Sequence, residues 1–256
     1  MIAVRQTLYL FVRLIRNLLR QPIWIALMLI QPMFWLLLYS QLFRRITELP
    51  GFGTTSYVDY LTPGIAIMTA FFSGTWAGMG TIEDLDRGVI ERFLATPAHR
   101  TAIVYARVLQ SAVVASVQAL IILVVGLFLG ATNGGTLGWL VIGISAFLVA
   151  AGFSGISNGI ALLTRQEATM IATANFIGLP LLFFSSILIA ANLIPAWMRS
   201  LSLANPVEWA VRASRAQVLP GTEWSRIGLY LLLLTGFVAL TGAFATRCFR
   251  TYQRTL

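Results

Sequence analysis

The sequence predicts an all-α, polytopic membrane protein with six transmembrane helices. Of its 256 residues, 58% are hydrophobic and only 11% are charged, whereas a soluble domain usually carries about a quarter charged residues. A helix rises about 1.5 Å per residue, so roughly 20 apolar residues cross a ~30 Å hydrocarbon layer. Six stretches of the chain reach that length, with polar or turn-forming residues between them. We therefore expect residues 1–256 to form a single transmembrane domain.

Residues 1–21 have the pattern of an amphipathic helix that lies along the membrane surface. At about 100° per residue, Arg5, Arg13, Arg16 and Arg20 fall within one sector of about 80°, and apolar side chains take the opposite side. Such a helix turns its arginines towards anionic lipid head groups and the cytoplasm. A plain basic anchor for the first span is the alternative interpretation.

The order of the spans follows from the apolar runs and the breaks between them. The spans are predicted at residues 23–43, 60–82, 101–130, 137–164, 168–190 and 226–249. Pro32 predicts a kink in the first span. The outer connection, residues 191–225, is too apolar for a free loop, and its tryptophans beside arginines are typical of a membrane interface. We expect two short re-entrant helices there, separated at Asn205-Pro206.

The distribution of arginine predicts that both termini are cytoplasmic. With the N-terminus inside, 12 of the 18 arginines lie on the inner side and six on the outer side, as the positive-inside rule requires. The segment 83–100 then faces the cytosol. Membrane topology accounts for the net charge of +9, so we expect no nucleic-acid partner.

The residue set excludes several kinds of chemistry. The chain has no lysine, so a phosphate-binding loop of the G-x-x-x-x-G-K-[ST] type cannot exist. The single histidine, His99, and the single cysteine, Cys248, cannot form a His/Cys metal cluster. We expect no catalytic residue, no metal and no cofactor bound by this chain.

Two serine patterns allow an alternative function. Ser154 lies in a G-x-S-G string and Ser157 in a G-x-S-x-G string, which predicts a nucleophile only if a base lies nearby. His99 is predicted in a cytoplasmic loop, away from both serines. The other interpretation is close helix packing through small residues spaced four apart. That spacing occurs at Gly74 and Gly78, at Gly126 and Gly130, and at Gly155 and Gly159.

The cytosolic segment 83–100 is rich in charge and carries a small apolar stripe. Its acids precede its arginines, which suits a short helix, and Pro97 is expected to end it. Ile90, Phe93 and Leu94 share one side at helical spacing. One interpretation is a helix whose apolar side docks into a groove of a cytosolic partner. The other is a solvated loop whose apolar residues rest on the lipid interface.

Two segments resemble the type-2 ABC transporter permeases. The run from Glu83 to Arg100, with the pattern E-x₄-G-x₂-E-x-x-L-x-T-P-x-x-R, is similar to the loop between spans 2 and 3 of that family. The run from Pro195 to Arg212 is similar to the stretch before the last span. The resemblance covers essentially the whole chain and is strongest to the daunorubicin-resistance and lipid-export branch.

The resemblance implies the membrane-spanning permease subunit of an ATP-driven exporter in a bacterial plasma (inner) membrane. The substrate would be a hydrophobic or amphipathic small molecule, such as a drug, a lipid or a related conjugate. Two permeases, either two copies or a copy and a paralogue, would pair above two copies of a separate ABC ATPase subunit. That subunit would hold ATP and Mg. An intramembrane serine hydrolase and a passive channel or scaffold subunit are the alternatives.

The resemblance also implies roles for particular residues. The coupling segment would contact the ATPase through Glu83, Asp86, Arg87, Gly88, Glu91, Arg92, Pro97 and Arg100. The N-terminal helix would lie beside the ATPase with Arg13, Arg16 and Arg20. Spans 2 and 5 would meet across the permease pair and line the substrate path with Phe71, Phe72, Trp76, Asn175 and Phe183. The outer helices would close that path at Trp197, Asn205, Pro206 and Trp209.

Overall fold

The structure, a computed structural model, describes residues 2–48, 56–94, 100–132, 135–188, 195–216 and 223–254. This part of the chain is all-α and contains no strand, so the predicted fold class is confirmed. The helices are α1 Ile2–Leu19, α2 Pro22–Leu42, α3 Tyr57–Asp86, α4 Val89–Leu94, α5 Arg100–Phe128, α6 Gly135–Thr164, α7 Glu167–Phe183, α8 Ala196–Ser202, α9 Pro206–Arg215 and α10 Trp224–Gln253. A short 3₁₀ helix, Arg44–Glu48, follows α2.

The long helices correspond to the predicted spans. Among the residues that the structure describes, four helices are long and apolar enough to cross a membrane: Tyr57–Asp86, Thr101–Phe128, Gly135–Thr164 and Trp224–Gln253. Two shorter apolar helices, Ala26–Leu42 and Glu167–Phe183, stand where the first and fifth spans were predicted. The chain is therefore a multi-pass membrane protein.

The C-terminal end of α3, predicted to be cytoplasmic, extends beyond the predicted span. The helix continues to Asp86, so the acids expected to open a separate helix form the last turn of the span instead. The chain then turns at Gly88, whose φ of +64° is one that glycine adopts without steric cost. The separate helix that follows, α4, has only six residues.

The fifth span is shorter than predicted. It was expected to reach residue 190, but α7 ends at Phe183, shortly after Pro180. The next residues, 184–188, are not helical. Their carbonyl groups accept hydrogen bonds from side chains of α3 and α9 instead of from the following turn of a helix. Tertiary contacts therefore replace the local hydrogen bonds that the apolar run would otherwise form.

Small residues bring α3, α6 and α10 close together at the centre of the bundle. A Cβ atom at Gly78 of α3 would lie 2.6 Å from Ser157 Oγ of α6, and one at Gly155 would lie 3.0 Å from the backbone of Thr241 in α10. A Cβ at Gly126 of α5 would lie 2.8 Å from Thr62 Oγ1 of α3. These contacts support the packing interpretation of the glycine spacing.

Gly130 is an exception to that interpretation. A Cβ atom there would have no neighbour within 4 Å, and its φ is +92°. Gly130 therefore ends α5 by adopting a left-handed conformation, and it does not join two helices.

We expect Gly78→Val to destabilise the bundle by about 1–3 kcal/mol, because the added carbons would overlap Ser157 and Met170. Gly236→Val is the matched control, since a Cβ atom at Gly236 meets no atom within 4 Å. Thermal unfolding in detergent, followed by size-exclusion chromatography, measures both. Equal unfolding midpoints for the two variants would contradict the tight crossing of α3 and α6.

Candidate functional site

The predicted cytoplasmic end of the bundle contains a buried ion pair between two spans. Arg107 of α5 pairs with Asp84 in the last turn of α3, and its guanidinium also lies against Gly80. The side chain of Arg107 is only about a tenth exposed. The ion pair fixes the end of α3 against α5.

The short helix α4 turns its apolar side inwards. Ile90 is 2% exposed and packs in a core cluster with Ile103 of α5 and Phe249 and Tyr252 of α10. Phe93 packs against the same cluster. The docking interpretation is therefore wrong for Ile90, because the chain's own spans cover its side chain, whereas Phe93 is half-buried. The side chain of Leu94 lies outside the described residues.

The charged side of α4 is exposed. Glu91 and Arg92 face outwards, as does Asp86 in the preceding turn. Glu83 and Arg87 form an exposed ion pair of 2.7 Å, and Gly88 supplies the turn. Arg100 begins α5, whereas Pro97 lies outside the described residues. The predicted contact residues therefore flank or belong to one short, charged helix, and their role remains a prediction.

The N-terminal helix lies beside α4. It packs against α5 and α2, and the guanidinium of Arg13 lies 4.9 Å from the ring centroid of Phe93 in α4. Arg16 and Arg20 are exposed. At the same end of the bundle, the guanidinium of Arg165 lies 4.6 Å from the ring centroid of Tyr252. This contact joins the turn between α6 and α7 to α10.

The five predicted path residues do not form one lining within the chain. Phe71 is fully buried and packs edge-on against Phe153 of α6, with 4.7 Å between ring centroids. Phe72 is half-buried beside it, whereas Trp76 is 37% exposed. Asn175 and Phe183 are exposed on α7. Phe71 and Phe72 of α3 thus belong to the core or border it, whereas Asn175 and Phe183 of α7 are exposed.

A narrow cleft lies beside Phe71, and the other four predicted path residues are not in its lining. It has a volume of about 70 Å³ and lies between α3, α6 and α7. Phe71, Phe153, Met170, Ala174 and Gly178 contribute to its apolar lining. Thr75, Ser157 and Thr173 also border it. The sequence did not indicate this cleft, since its walls come from three separate helices.

The described part of the outer connection, residues 195–216, contains two short helices separated at Asn205-Pro206, as expected. Asn205 is buried and caps α9, because its side chain accepts a hydrogen bond of 2.9 Å from Val207 N. Its amide also donates to the carbonyls of Leu181 and Phe184 at the end of α7. Pro206 occupies the first turn of α9.

The two predicted gate tryptophans differ in their surroundings. Trp209 is half-buried and donates to Leu203 O at 2.6 Å. Trp197 is 61% exposed and packs edge-on against Phe184. Trp209 therefore stabilises the turn between α8 and α9, whereas Trp197 extends over the end of α7.

A buried polar cluster lies behind these helices, and we call it the outer cluster: Tyr60, Ser186, Glu208, Arg212 and Arg215. Glu208 is 1% exposed and accepts hydrogen bonds from Ser186 N at 2.7 Å and Ser186 Oγ at 2.9 Å. Arg212 donates to the other carboxylate oxygen at 2.7 Å. A buried carboxylate is costly unless its oxygens are paired, and both oxygens of Glu208 are.

Arg215 is the centre of the outer cluster. Its guanidinium donates to Ser186 O at 2.5 Å, Ile187 O at 2.6 Å and Tyr60 O at 3.0 Å. It also lies 3.5 Å from the ring centroid of Tyr60. Burial lowers the pKa of the Arg215 guanidinium, while Tyr60 and Glu208 raise it. The Arg215 side chain therefore links α3, α9 and the non-helical segment that follows α7.

The sequence contained a partial signal for the outer cluster. Glu208, Arg212 and Arg215 are spaced i, i+4 and i+7, so they share one face of a helix. This spacing is equally compatible with a charged stripe that is exposed and with one that is buried. Its partners Tyr60 and Ser186 lie 155 and 29 residues from Arg215, and no local pattern connects them.

The two serine patterns lie in packed helices. Ser157 Oγ donates to Thr75 O at 2.6 Å and accepts from Gly78 N at 2.9 Å. Ser154 is fully buried and accepts from the side chain of Asn158, one turn away. His99 lies outside the described residues. Among the residues that are described, no three His, Cys, Asp or Glu side chains come together in a possible metal site.

Comparison with known proteins identifies the family. The ABC-2 type transporter family matches residues 5–219. The chain belongs to this family. A ycf38 protein of Cyanophora paradoxa, named as a transport permease, is 28% identical over 83% of this chain and 73% of its own length. The daunorubicin resistance ABC transporter permease protein DrrB1 of Streptomyces coeruleorubidus is 27% identical over 90% of this chain and 80% of its own length.

We expect Arg215→Gln to destabilise this ABC-2 family protein by about 3–5 kcal/mol, because the buried carbonyls of Tyr60, Ser186 and Ile187 lose their charged donor. Arg226→Gln is the control, since Arg226 is paired with Glu223 but 68% exposed and should cost less than about 1 kcal/mol. The midpoint of thermal unfolding reports both. A normal midpoint for Arg215→Gln would show that the outer cluster does not hold the outer helices.

Proposed function

We propose that this chain is the membrane-spanning permease subunit of an ATP-driven ABC exporter. The observation that carries the proposal, beside family membership, is the placement of α4. Its apolar side is anchored in the core through Ile90, and its charged side is exposed through Glu91 and Arg92. A short rigid helix of this kind suits contact with a moving cytosolic subunit.

The moving subunit that we propose is a separate ABC ATPase, present in two copies beneath two permeases. The absence of lysine excludes a Walker loop in this chain, so ATP and Mg would be bound by the ATPase. Two relatives are named as ABC transporter permease proteins, one of daunorubicin resistance and the other of doxorubicin resistance. These names support a division between a permease subunit and an ATPase subunit. A bacterial plasma membrane is the proposed location.

A displacement of α4 would be passed to three helices at once. Ile90 contacts the cluster formed by α5 and α10, and only the turn at Arg87-Gly88 separates α4 from α3. The ion pair between Asp84 and Arg107 joins α3 to α5 at the same level. Closure of the ATPase on ATP would therefore shift the α3–α5 pair as a unit and favour the outward-facing state.

The proposed substrate is a hydrophobic or amphipathic small molecule. The cleft between α3, α6 and α7 is lined mainly by apolar and aromatic side chains, which suits such a molecule better than a sugar or an ion. The neighbouring surface of α7 is strongly apolar, with Phe176 84% exposed and Phe183 70% exposed. A second permease, either a copy or a paralogue, would cover this surface and complete the path.

We expect Glu91→Arg to uncouple ATP hydrolysis from transport, because it reverses the charge on the exposed side of α4. Transport per ATP hydrolysed should fall by roughly tenfold, the effect of losing about 1.4 kcal/mol of contact energy. Proteoliposomes that contain the complete transporter allow both rates to be measured. Glu223→Arg, an exposed change at the start of α10 on the opposite side, should leave the ratio unchanged. An unchanged ratio in Glu91→Arg would remove α4 from the coupling mechanism.

We expect Ala174→Phe to lower the transport rate roughly tenfold by obstructing the cleft, since Ala174 lines it and the added aromatic ring would project into it. Ala239→Phe makes the same change on the exposed side of α10, away from the cleft and from the proposed permease contact on α7. Uptake of a fluorescent hydrophobic drug into inverted vesicles compares the two variants. If both transport at the same rate, the cleft is not part of the path.

A further inference from the structure

The turn between α6 and α7 contains a residue in an unusual backbone conformation. Only Arg165 and Gln166 separate the end of α6 from the start of α7. Arg165 has a φ of +55°, and it is the only non-glycine residue with a positive φ in the part of the chain that the structure describes. Side chains crowd the backbone in this region, so glycine or asparagine usually occupies such a position at the end of a helix. An arginine there indicates that its side chain has a task.

The side chain of Arg165 contacts a buried ring on another helix. Its guanidinium lies 4.6 Å from the ring centroid of Tyr252, in the last turn of α10. Tyr252 is 3% exposed and belongs to the same core cluster as Ile90 of α4. Arg165 itself is exposed. The turn between α6 and α7 and the helix α4 are therefore joined to one shared cluster.

The helix α7 is fixed at its outer end and forms one wall of the cleft. Its buried side chains are those of Met170, Ala174 and Gly178, and all three line the cleft. Asn205 fixes the outer end by donating to Leu181 O at 2.7 Å. The inner end begins directly after the turn between α6 and α7. A change of φ in that turn would swing the inner end of α7 about its fixed outer end and alter the width of the cleft.

We propose that Tyr252 is a positioning residue that transmits the movement of α4 to α7 through its contact with Arg165. This role rests on the proposed exporter function, in which an ATPase displaces α4. When Ile90 moves, the cluster that contains Tyr252 shifts with it, and Arg165 loses its aromatic partner. The backbone of Arg165 then returns to a negative φ, which redirects the start of α7. The turn is thus a two-state element whose balance depends on α4.

Substitution of either partner tests this role in proteoliposomes that contain the complete transporter. Tyr252→Leu keeps an apolar side chain but removes the ring, and Arg165→Gln removes the cation at an exposed position without a change in the core. Each should lower transport per ATP hydrolysed by roughly two- to fivefold, the effect of one cation–π contact, while ATP hydrolysis continues at its normal rate. Tyr252→Phe keeps the ring and should keep the normal ratio. Tyr9→Leu, which removes an exposed contact with Arg5, is the matched control.

Cysteine labelling shows whether α7 moves separately from α3. In a Cys248→Ala chain, Ala174→Cys reports on α7 and Ala77→Cys reports on α3. Ala174 is only 7% exposed, so N-ethylmaleimide should label Ala174→Cys slowly without nucleotide. A non-hydrolysable ATP analogue should accelerate this labelling by at least roughly fivefold, because it shifts the population of the turn. With Tyr252→Leu added, labelling of Ala174→Cys should be fast with or without nucleotide, whereas Ala77→Cys should still respond to it.

The outcomes separate this role from the proposed coupling. If Ala174→Cys still responds to nucleotide after Tyr252→Leu, α7 moves without the Arg165 contact and the role of Tyr252 is wrong. Equal transport ratios in Tyr252→Leu and Tyr252→Phe would refute it as well. With Tyr252 intact, a response of Ala77→Cys alone would refute the role but leave the coupling through α4 in place. If neither cysteine responds in that chain, α4 does not couple the ATPase to the spans, and both proposals fail.

Discussion

The arrangement of the outer half of this protein depends on one constraint: backbone groups inside a membrane protein must be hydrogen-bonded. The chain leaves the helical conformation after Phe183, so the carbonyls of the next residues lose their helical partners. Arg215 and Tyr57 replace them by donating to Ser186, Ile187 and Leu188. An arginine suits this task because its planar group donates several hydrogen bonds at once. The fifth span can therefore end early without exposing its backbone to lipid.

The same interaction determines where the outer helices lie. Arg215 and Glu208 both belong to α9, and both bind the segment around Ser186. Asn205 adds the cap of α9 and two further bonds to the end of α7. Buried charges of this kind contribute little net stability, because desolvation offsets their attraction. Instead, these buried charges restrict α8 and α9 to one position over the bundle.

The predicted cytoplasmic end differs in how its charges are placed. Its buried ion pair, Asp84 with Arg107, joins two long helices, while the short helix α4 is held mainly by apolar contacts of Ile90. Charge is left exposed on α4 and on α1. Both ends thus contain a buried ion pair, and the predicted cytoplasmic end also presents exposed charge on α4 and α1.

The sequence by itself determined the helical membrane class, the positions of the apolar helices and the break at Asn205-Pro206, because hydropathy, helical periodicity and proline act locally. It also marked 83–100 as a distinct charged segment. Tertiary structure alone decided that Ile90 faces inwards, that α7 stops at Phe183 and that a cleft opens beside Phe71. Each of these depends on partners far away in the chain: Arg215 binds Tyr60 across 155 positions. A local pattern shows that a side chain is apolar or charged, but only the packed helices determine which surface covers it.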